Sequence, residues 1–339
     1  MISRIQRINA FIKLGFFLRD PQNAGFLEEL AVAANRKNNW FTPVNTLQAL
    51  HAISTGFLSE DNLNTWLENY PPVETSRKIG VIMAGNIPAV GFHDVLCVLI
   101  SGHTLLAKPS SDDPVLIPAL LEKLIEIEPA FAGYIFFVDR LNDSDAYIAT
   151  GSDNTARYFH YYFSKKPNII RKNRTSSAVL NGGESTAELS ALGRDILQYF
   201  GLGCRNVSKL YTPQGYDFTK FFESIQSVDH LYLNHHKYFN NYEYNKSILL
   251  VNRTVHYDNG FLMLTENPAL VSPISVVYYE TYEDTGALKD RLKEHAEKIQ
   301  CIAGDEEQIP GAIAFGKTQE PGLSDYADSV DTMAFLAGL

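Results

Sequence analysis

The segment Tyr199-Phe-Gly-Leu-Gly-Cys-Arg-Asn-Val-Ser-Lys-Leu210 sets a single cysteine between a glycine turn and a polar run. Gly201 and Gly203 free the backbone to adopt φ > 0 and to approach a ligand closely. A thiol presented there is accessible. Arg205 beside Cys204 favours the thiolate, the form that attacks a carbonyl or a thioester. On this segment alone the competing reading is a buried structural cysteine, since free Cys is among the most buried residue types.

Four further segments put polar groups at what read as strand ends. In Gly85-Asn-Ile-Pro88 the Asn86 carboxamide can donate to an oxygen that turns negative in a transition state, or it can simply cap a Pro-started helix. In Lys108-Pro-Ser-Ser111 the lysine can reach the ribose hydroxyls or a 2′-phosphate of a nucleotide, or stand in a solvated loop. In Thr150-Gly-Ser-Asp153, Gly151 lets the backbone approach, and Ser152 with the first helical N–H groups can hold a pyrophosphate. The alternative there is an ordinary capped helix. Leu180-Asn-Gly-Gly183 is a tight turn that lies beside the cysteine or merely reverses the chain.

Elements must position these groups, and the hydrophobic pattern supplies them. Residues 1–70 read as helices, with Thr55, Ser59 and Asp61 as caps, and Pro71-Pro72 marks a boundary. Beyond it strands are predicted at 78–84, 104–107, 134–138 and 146–150 and near Asn168 and Ala178, alternating with helices over 88–101, 114–128, 153–163 and 187–200. Such alternation gives a mostly parallel sheet with helices on both faces and ligands at the carboxyl ends of its strands. After Cys204 helices are predicted over 218–227 and about Tyr238, with apolar runs at 247–251, 261–264 and 274–278. A helix over 284–297 and strands at 300–302 and 312–315 follow, and a second α/β domain is the simplest account.

Composition narrows the function. The 339 residues carry 45% hydrophobic and 20% charged side chains, an ordinary globular balance with room for two domains. A net charge of −10 argues against a nucleic-acid binder, because the phosphate backbone is held by Lys and Arg. Cys97, Cys204 and Cys301 have no zinc or redox spacing, so neither a metal site nor a disulfide frame is expected, and a reducing cytoplasm fits. Gly15-Phe-Phe-Leu18 is too short for a signal peptide, and the apolar run 95–100 cannot span a bilayer.

Taken in order and spacing, the Asn86 turn, the Lys-Pro-Ser strand end, the Thr-Gly-Ser turn, the Gly-Gly turn and Cys204 resemble the aldehyde dehydrogenase superfamily. Within it the chain is most similar to the bacterial fatty acyl-CoA reductase family, whose best-known members supply aldehyde for luminescence. The endings Gly322-Leu-Ser-Asp-Tyr-Ala-Asp328 and Val330-Asp-Thr-Met-Ala-Phe-Leu336 look like that family's too, so the likeness runs from about Lys78 to the C-terminus.

The resemblance implies an α/β, aldehyde-dehydrogenase-like fold, with a Rossmann-like nucleotide-binding domain and a second α/β catalytic domain. We divide the chain into an N-terminal helical segment (1–70), a dinucleotide-binding domain (71–200), a catalytic domain (201–310) and a C-terminal segment packing back on the core (311–339). The implied roles are Cys204 as acyl-accepting nucleophile, Asn86 with the Cys204 N–H as oxyanion hole, and Lys108, Ser110 and Ser111 near the adenosine ribose. Gly151 and Ser152 would hold the pyrophosphate, and Gly182 and Gly183 would also face the cofactor.

Departures from the family pattern refine this. Hydrolytic members carry a Glu two residues before Gly-Gly, where this chain has Leu180, and leucine cannot activate water. Glu184 is the nearest substitute, but its side chain would point elsewhere. Ser111 replaces a Glu of NAD-preferring members, which removes a repulsion against a 2′-phosphate and favours NADPH. Pro273 is kept, but Ala269 stands where the nicotinamide-ribose Glu would be. His93-Asp94, His235-His236 and the aromatic runs 158–163 and 278–282 read as structural.

The expectation is an NADPH-dependent reductase that turns acyl-CoA, or another acyl thioester, into aldehyde through an acyl-cysteine. A semialdehyde dehydrogenase and a non-catalytic nucleotide- or acyl-binding subunit are the alternatives. A homo-oligomer or an acyl-transfer partner stays open.

Overall fold

The computed structural model describes residues 2–339. It divides into two compact units, one running to residue 173 and taking up 321–339, the other spanning 174–320.

The first unit opens with four helices, α1 (Arg4–Arg19), α2 (Ala24–Lys37), α3 (Pro43–Ala52) and α4 (Glu60–Leu67). Ser3 and Gln6 form a capping box on α1, and Ser59 caps α4. There follow β1 (Lys78–Ile82), α5 (Phe92–Ser101), β2 (Thr104–Lys108), α6 (Leu116–Ile127), β3 (Ile135–Phe137), β4 (Ala146–Thr150), α7 (Asp153–Phe163) and β5 (Asn168–Arg171). The five strands are parallel in the order β3-β2-β1-β4-β5. The order reverses between β1 and β4, the crevice where open α/β sheets take ligands.

Helix α5 is the buried axis of this unit. Its apolar residues are at most 1% exposed, and Gly102 ends it at φ 105°. The buried Arg7 guanidinium donates to the carbonyls of Ile100 (2.9 Å) and Ser101 (3.3 Å) at its C-terminus, where a cation also meets the negative end of the helix dipole. Through that clamp and a shared core, the helices before residue 70 belong to the sheet's own unit and are not a separate segment.

The second unit consists of β6 (Thr175–Val179), α8 (Thr186–Leu197), β7 (Val207–Pro213), α9 (Thr219–Ile225), α10 (Asp229–Leu233), α11 (His236–Val251), β8 (His256–Asp258), β9 (Met263–Glu266), β10 (Val276–Tyr282), α12 (Thr285–Glu294) and β11 (Ile299–Ala303). Its six-stranded sheet runs β11-β6-β7-β10-β9-β8, parallel throughout except for the β8–β9 pair at the edge. Residues 174–200, expected with the dinucleotide domain, lie here because β6 pairs with β7 and β11. The apolar run 247–251 is the last turn and a half of α11, and 312–315 forms only a single bridge, Ile313 to Ala303.

The chain then returns to the first unit, where α13 (Thr332–Ala337) packs on α5. The return is anchored by polar groups. Tyr326 accepts from Trp66 Nε1 (2.9 Å), Tyr70 donates to Asp331 (2.9 Å), and His93 Nε2 donates to the Leu323 carbonyl (2.9 Å). Arg171, 3% exposed, pairs with Asp94 at 2.6 Å and donates to Thr332 Oγ1 at 2.8 Å. His93 and Asp94 are therefore fastenings of the C-terminal segment.

Among the described residues, no helix is long and apolar enough to cross a membrane. Truncating one partner of the buried pair strands the other charge, so Asp94→Ala should cost this unit about 3–5 kcal/mol. Both tryptophans, Trp40 and Trp66, lie in it, so the check is an earlier urea transition by tryptophan fluorescence.

Candidate functional site

In the first unit the expected residues gather at the carboxyl ends of three adjacent strands. Asn86 follows β1, Lys108 ends β2, and Gly151 with Ser152 follows β4, all along one edge. Asn86, Lys108, Ser111 and Ser152 are exposed. The turns after β1 and β2 are pressed together, since a Cβ on Gly85 would stand 2.5 Å from the Ser110 Cβ and Oγ.

Asp113, which sequence reasoning missed, joins these two turns. It is 2% exposed, accepts from the Ala89 N–H (2.9 Å) and the Leu116 N–H (3.0 Å), and so ties the Asn86 turn to the start of α6. Burial pushes its carboxyl up, and the hydrogen bonds from Leu116 and Ala89 pull the other way. Ala89 itself is held at φ 54°. Helix α5 begins only at Phe92 with Gly91 as its cap, so Asn86 is not the cap of that helix. Ser152 does cap α7, accepting from the Thr155 N–H at 3.3 Å.

In the second unit Cys204 sits half-buried in the turn between α8 and β7. The approach is strained. Tyr199 (φ 51°), Phe200 (φ 60°) and Gly201 (φ 75°) are three left-handed residues in succession, and each of the two bearing side chains costs about 1–2 kcal/mol. Phe200 packs its ring on His235 at 4.2 Å and near Tyr232 and Tyr238. Asn206, 2% exposed, accepts from the Gly203 N–H at 2.8 Å and donates to the carbonyls that end α8. Ser176 Oγ donates to the Cys204 carbonyl at 3.0 Å. The crevice beside Gly201 and Val207 is closed by Ser272, Pro273 and Ile274, which brings the retained proline to the cysteine turn.

Arg205 has further partners. Its guanidinium reaches the Thr318 carbonyl (3.5 Å) and the Cys301 thiol, which burial pushes up and Arg205 pulls down. Asp195, buried in α8, holds the same 316–318 segment through Gly316 and Thr318 N–H groups.

The Gly-Gly turn is not beside the cysteine. Strands β6 and β7 are parallel, with Ser176 opposite Val207 and Val179 opposite Tyr211. Cys204 precedes β7 and therefore lies at the amino edge, whereas residues 180–183 leave β6 at the carboxyl edge, a strand length of roughly 15 Å away. Leu180, fully buried, donates its N–H to Tyr211 O there. A carboxylate at position 180 would not reach the Cys204 sulfur in this arrangement, so Leu180 carries no information about hydrolysis.

Glu184 sits at that same carboxyl edge with both oxygens occupied. Oε1 accepts from the Asn181 (2.5 Å) and Gly182 (3.3 Å) N–H groups, and Oε2 from Tyr216 (3.3 Å). It lines, with Tyr216, Asp217 and Lys220, a cavity of about 390 Å³.

The fold is that of the aldehyde dehydrogenases. The structure superposes on the P. syringae indole-3-acetaldehyde dehydrogenase AldA with a TM-score of 0.65 at 14% identity, covering 91% of this chain and 73% of that one. For an NAD-dependent aldehyde dehydrogenase from Sinorhizobium meliloti the TM-score is 0.64 at 12% identity, over 92% and 73% of the two chains. An E. coli NADP-dependent enzyme gives 0.66 at 13% identity, over 90% and 74%. No curated protein matches in sequence.

Residues 45–201 match the family model described as acyl-CoA reductase (LuxC). Over that segment the chain is similar to the LuxC-type acyl-CoA reductases, and its fold is the one the aldehyde dehydrogenases share.

Because Glu184 braces a turn at the far edge from Cys204, Glu184→Gln should keep thioester reduction within about twofold of wild type. Glu184→Ala removes the acceptor of two backbone N–H groups and should cost about 1–2 kcal/mol in urea unfolding. Steady-state rates and unfolding midpoints check the pair.

Proposed function

We propose that this protein reduces an acyl-CoA to the aldehyde through an acyl group held on Cys204, with NADPH as the reductant. The observation that carries the reading is a half-buried thiol in a strained glycine turn, in a chain whose 45–201 segment matches the acyl-CoA reductase family.

The cysteine thiolate attacks the thioester carbonyl, forming the carbon–sulfur bond. The Asn86 carboxamide and the Cys204 N–H are the proposed donors to the resulting oxyanion. Collapse expels the carrier thiolate and leaves an acyl-cysteine. Reduction of that thioester carbonyl gives a thiohemiacetal on Cys204, whose collapse frees the aldehyde and returns the thiolate.

The residues present fit a dinucleotide. A Cβ at Gly151 would stand 3.0 Å from the Phe159 ring and 3.1 Å from Thr155, a tight fit that glycine relieves at the switch point beside the α7 N-terminus. We assign Lys108, Ser110 and Ser111 to the adenosine ribose and its phosphate, and Gly151 and Ser152 to the pyrophosphate. When bound, the reduced nicotinamide supplies the hydride. Gly182 and Gly183 are not assigned with the cysteine, since they leave the opposite edge of its sheet. The P. syringae relative is described with NAD+ and the E. coli one as NADP-dependent, so the superfamily fold accommodates both cofactors.

Mass spectrometry after mixing with acyl-CoA in the absence of reduced cofactor should find the acyl mass on the peptide containing Cys204, and none in Cys204→Ala. An adduct of unchanged yield in Cys204→Ala would remove the mechanism. Ser111→Glu restores a carboxylate against the 2′-phosphate and should move the kcat/KM ratio roughly tenfold from NADPH toward NADH.

A further inference from the structure

The bend that delivers Cys204 is not self-supporting. Two residues with side chains, Tyr199 and Phe200, occupy left-handed backbone immediately before Gly201, a conformation that relaxes unless its surroundings fix it. One buried carboxamide spans the bend. Asn206 Nδ2 lies 3.0 Å from the Asp195 carbonyl, 3.3 Å from that of Ile196 and 2.8 Å from that of Gln198. Its Oδ1 accepts from the Gly203 N–H at 2.8 Å, and its own N–H donates to Gly203 O at 3.0 Å. The carbonyls before the bend and the amide after it thus share one rigid planar group.

The next residue along is fastened from the neighbouring strand. The single Ser176 proton goes to the Cys204 carbonyl at 3.0 Å, while the hydroxyl oxygen accepts from the Cys301 N–H at 3.3 Å and faces the Cys301 sulfur at 3.1 Å. Gly203 and Cys204 are therefore pinned from two sides, and the direction of the Cys204 side chain follows from those pins.

We infer that Asn206 is the positioning residue of the Cys204 sulfur, with Ser176 as its second fastening. The inference rests on the reading of Cys204 as the acyl-accepting thiol. Only a carboxamide offers donor and acceptor together at this place. Aspartate keeps the bond to Gly203 but cannot donate to the α8 carbonyls, alanine loses both, and neither touches substrate.

The test compares wild type, Asn206→Asp, Asn206→Ala and Ser176→Ala. Single-turnover acylation of Cys204 is followed by peptide mass spectrometry, together with KM for acyl-CoA and the melting temperature. For Asn206→Asp and Asn206→Ala that remain folded, acylation should slow roughly a hundredfold, as for a nucleophile displaced by about 1 Å, with KM within about twofold. Ser176→Ala should slow it about tenfold. A folded Asn206 variant that acylates at the wild-type rate overturns the inference, even if its melting temperature falls. Should both Asn206 variants fail to fold, Ser176→Ala decides, and a wild-type rate there overturns it.

Absence of any adduct on wild-type Cys204 would defeat the nucleophile reading instead. The positioning claim is then read from the rate of Cys204 alkylation by iodoacetamide, where a change of about tenfold in the variants sustains it and an unchanged rate overturns it.

Discussion

Parallel pairing is the constraint on which this molecule is built. A parallel strand can be rejoined only by a crossover, so every strand of a parallel sheet begins at one edge and finishes at the other. Turns are thereby sorted by whether they precede or follow a strand. In the first unit, the turns after β1, β2 and β4 collect glycine, amide, lysine and serine groups at one edge. In the second, the same rule sends Cys204 and the Gly-Gly turn to opposite edges.

Buried polar groups then do what apolar packing cannot. A hydrophobic contact is non-directional and tolerates small shifts, whereas a carboxylate or carboxamide that satisfies backbone groups fixes where a turn lies. Asp113 joins two turns of the nucleotide edge, Asn206 and Ser176 fix the cysteine turn, Asp195 holds the 316–318 segment, and Arg171 with Asp94 secures α13. Each such group is nine-tenths or more buried, so leaving its partners unmet would carry the full cost of desolvation. Strain at Tyr199 and Phe200 persists because these bonds hold it.

Local pattern was enough where the signal was local. The strand-helix alternation from β1 to α8 follows from short apolar runs bounded by Gly and Pro, and Cys204 stands out because glycines precede it. The apolar run 247–251 has no such boundary and finishes a helix, since a short apolar run fits either period. The guanidinium of Arg205, adjacent to Cys204 in sequence, also reaches Cys301 and Thr318, partners that adjacency does not reveal.

The sequence by itself determined the α/β class and the strand-end location of Asn86, Lys108 and Gly151, which depend on neighbours a few residues apart, and the likeness to acyl-CoA reductases, which depends on the order of such short motifs along the chain. Tertiary structure alone decided that residues 174–200 belong with the cysteine, that Leu180 and Glu184 stand away from it, and that Asn206, Ser176 and Asp113 hold the turns. The reason is the range of the interactions. Ser176 meets Cys204 across 28 residues and Asp195 meets Thr318 across 123, and partners that are backbone atoms of a distant segment leave no mark in the amino-acid pattern around them.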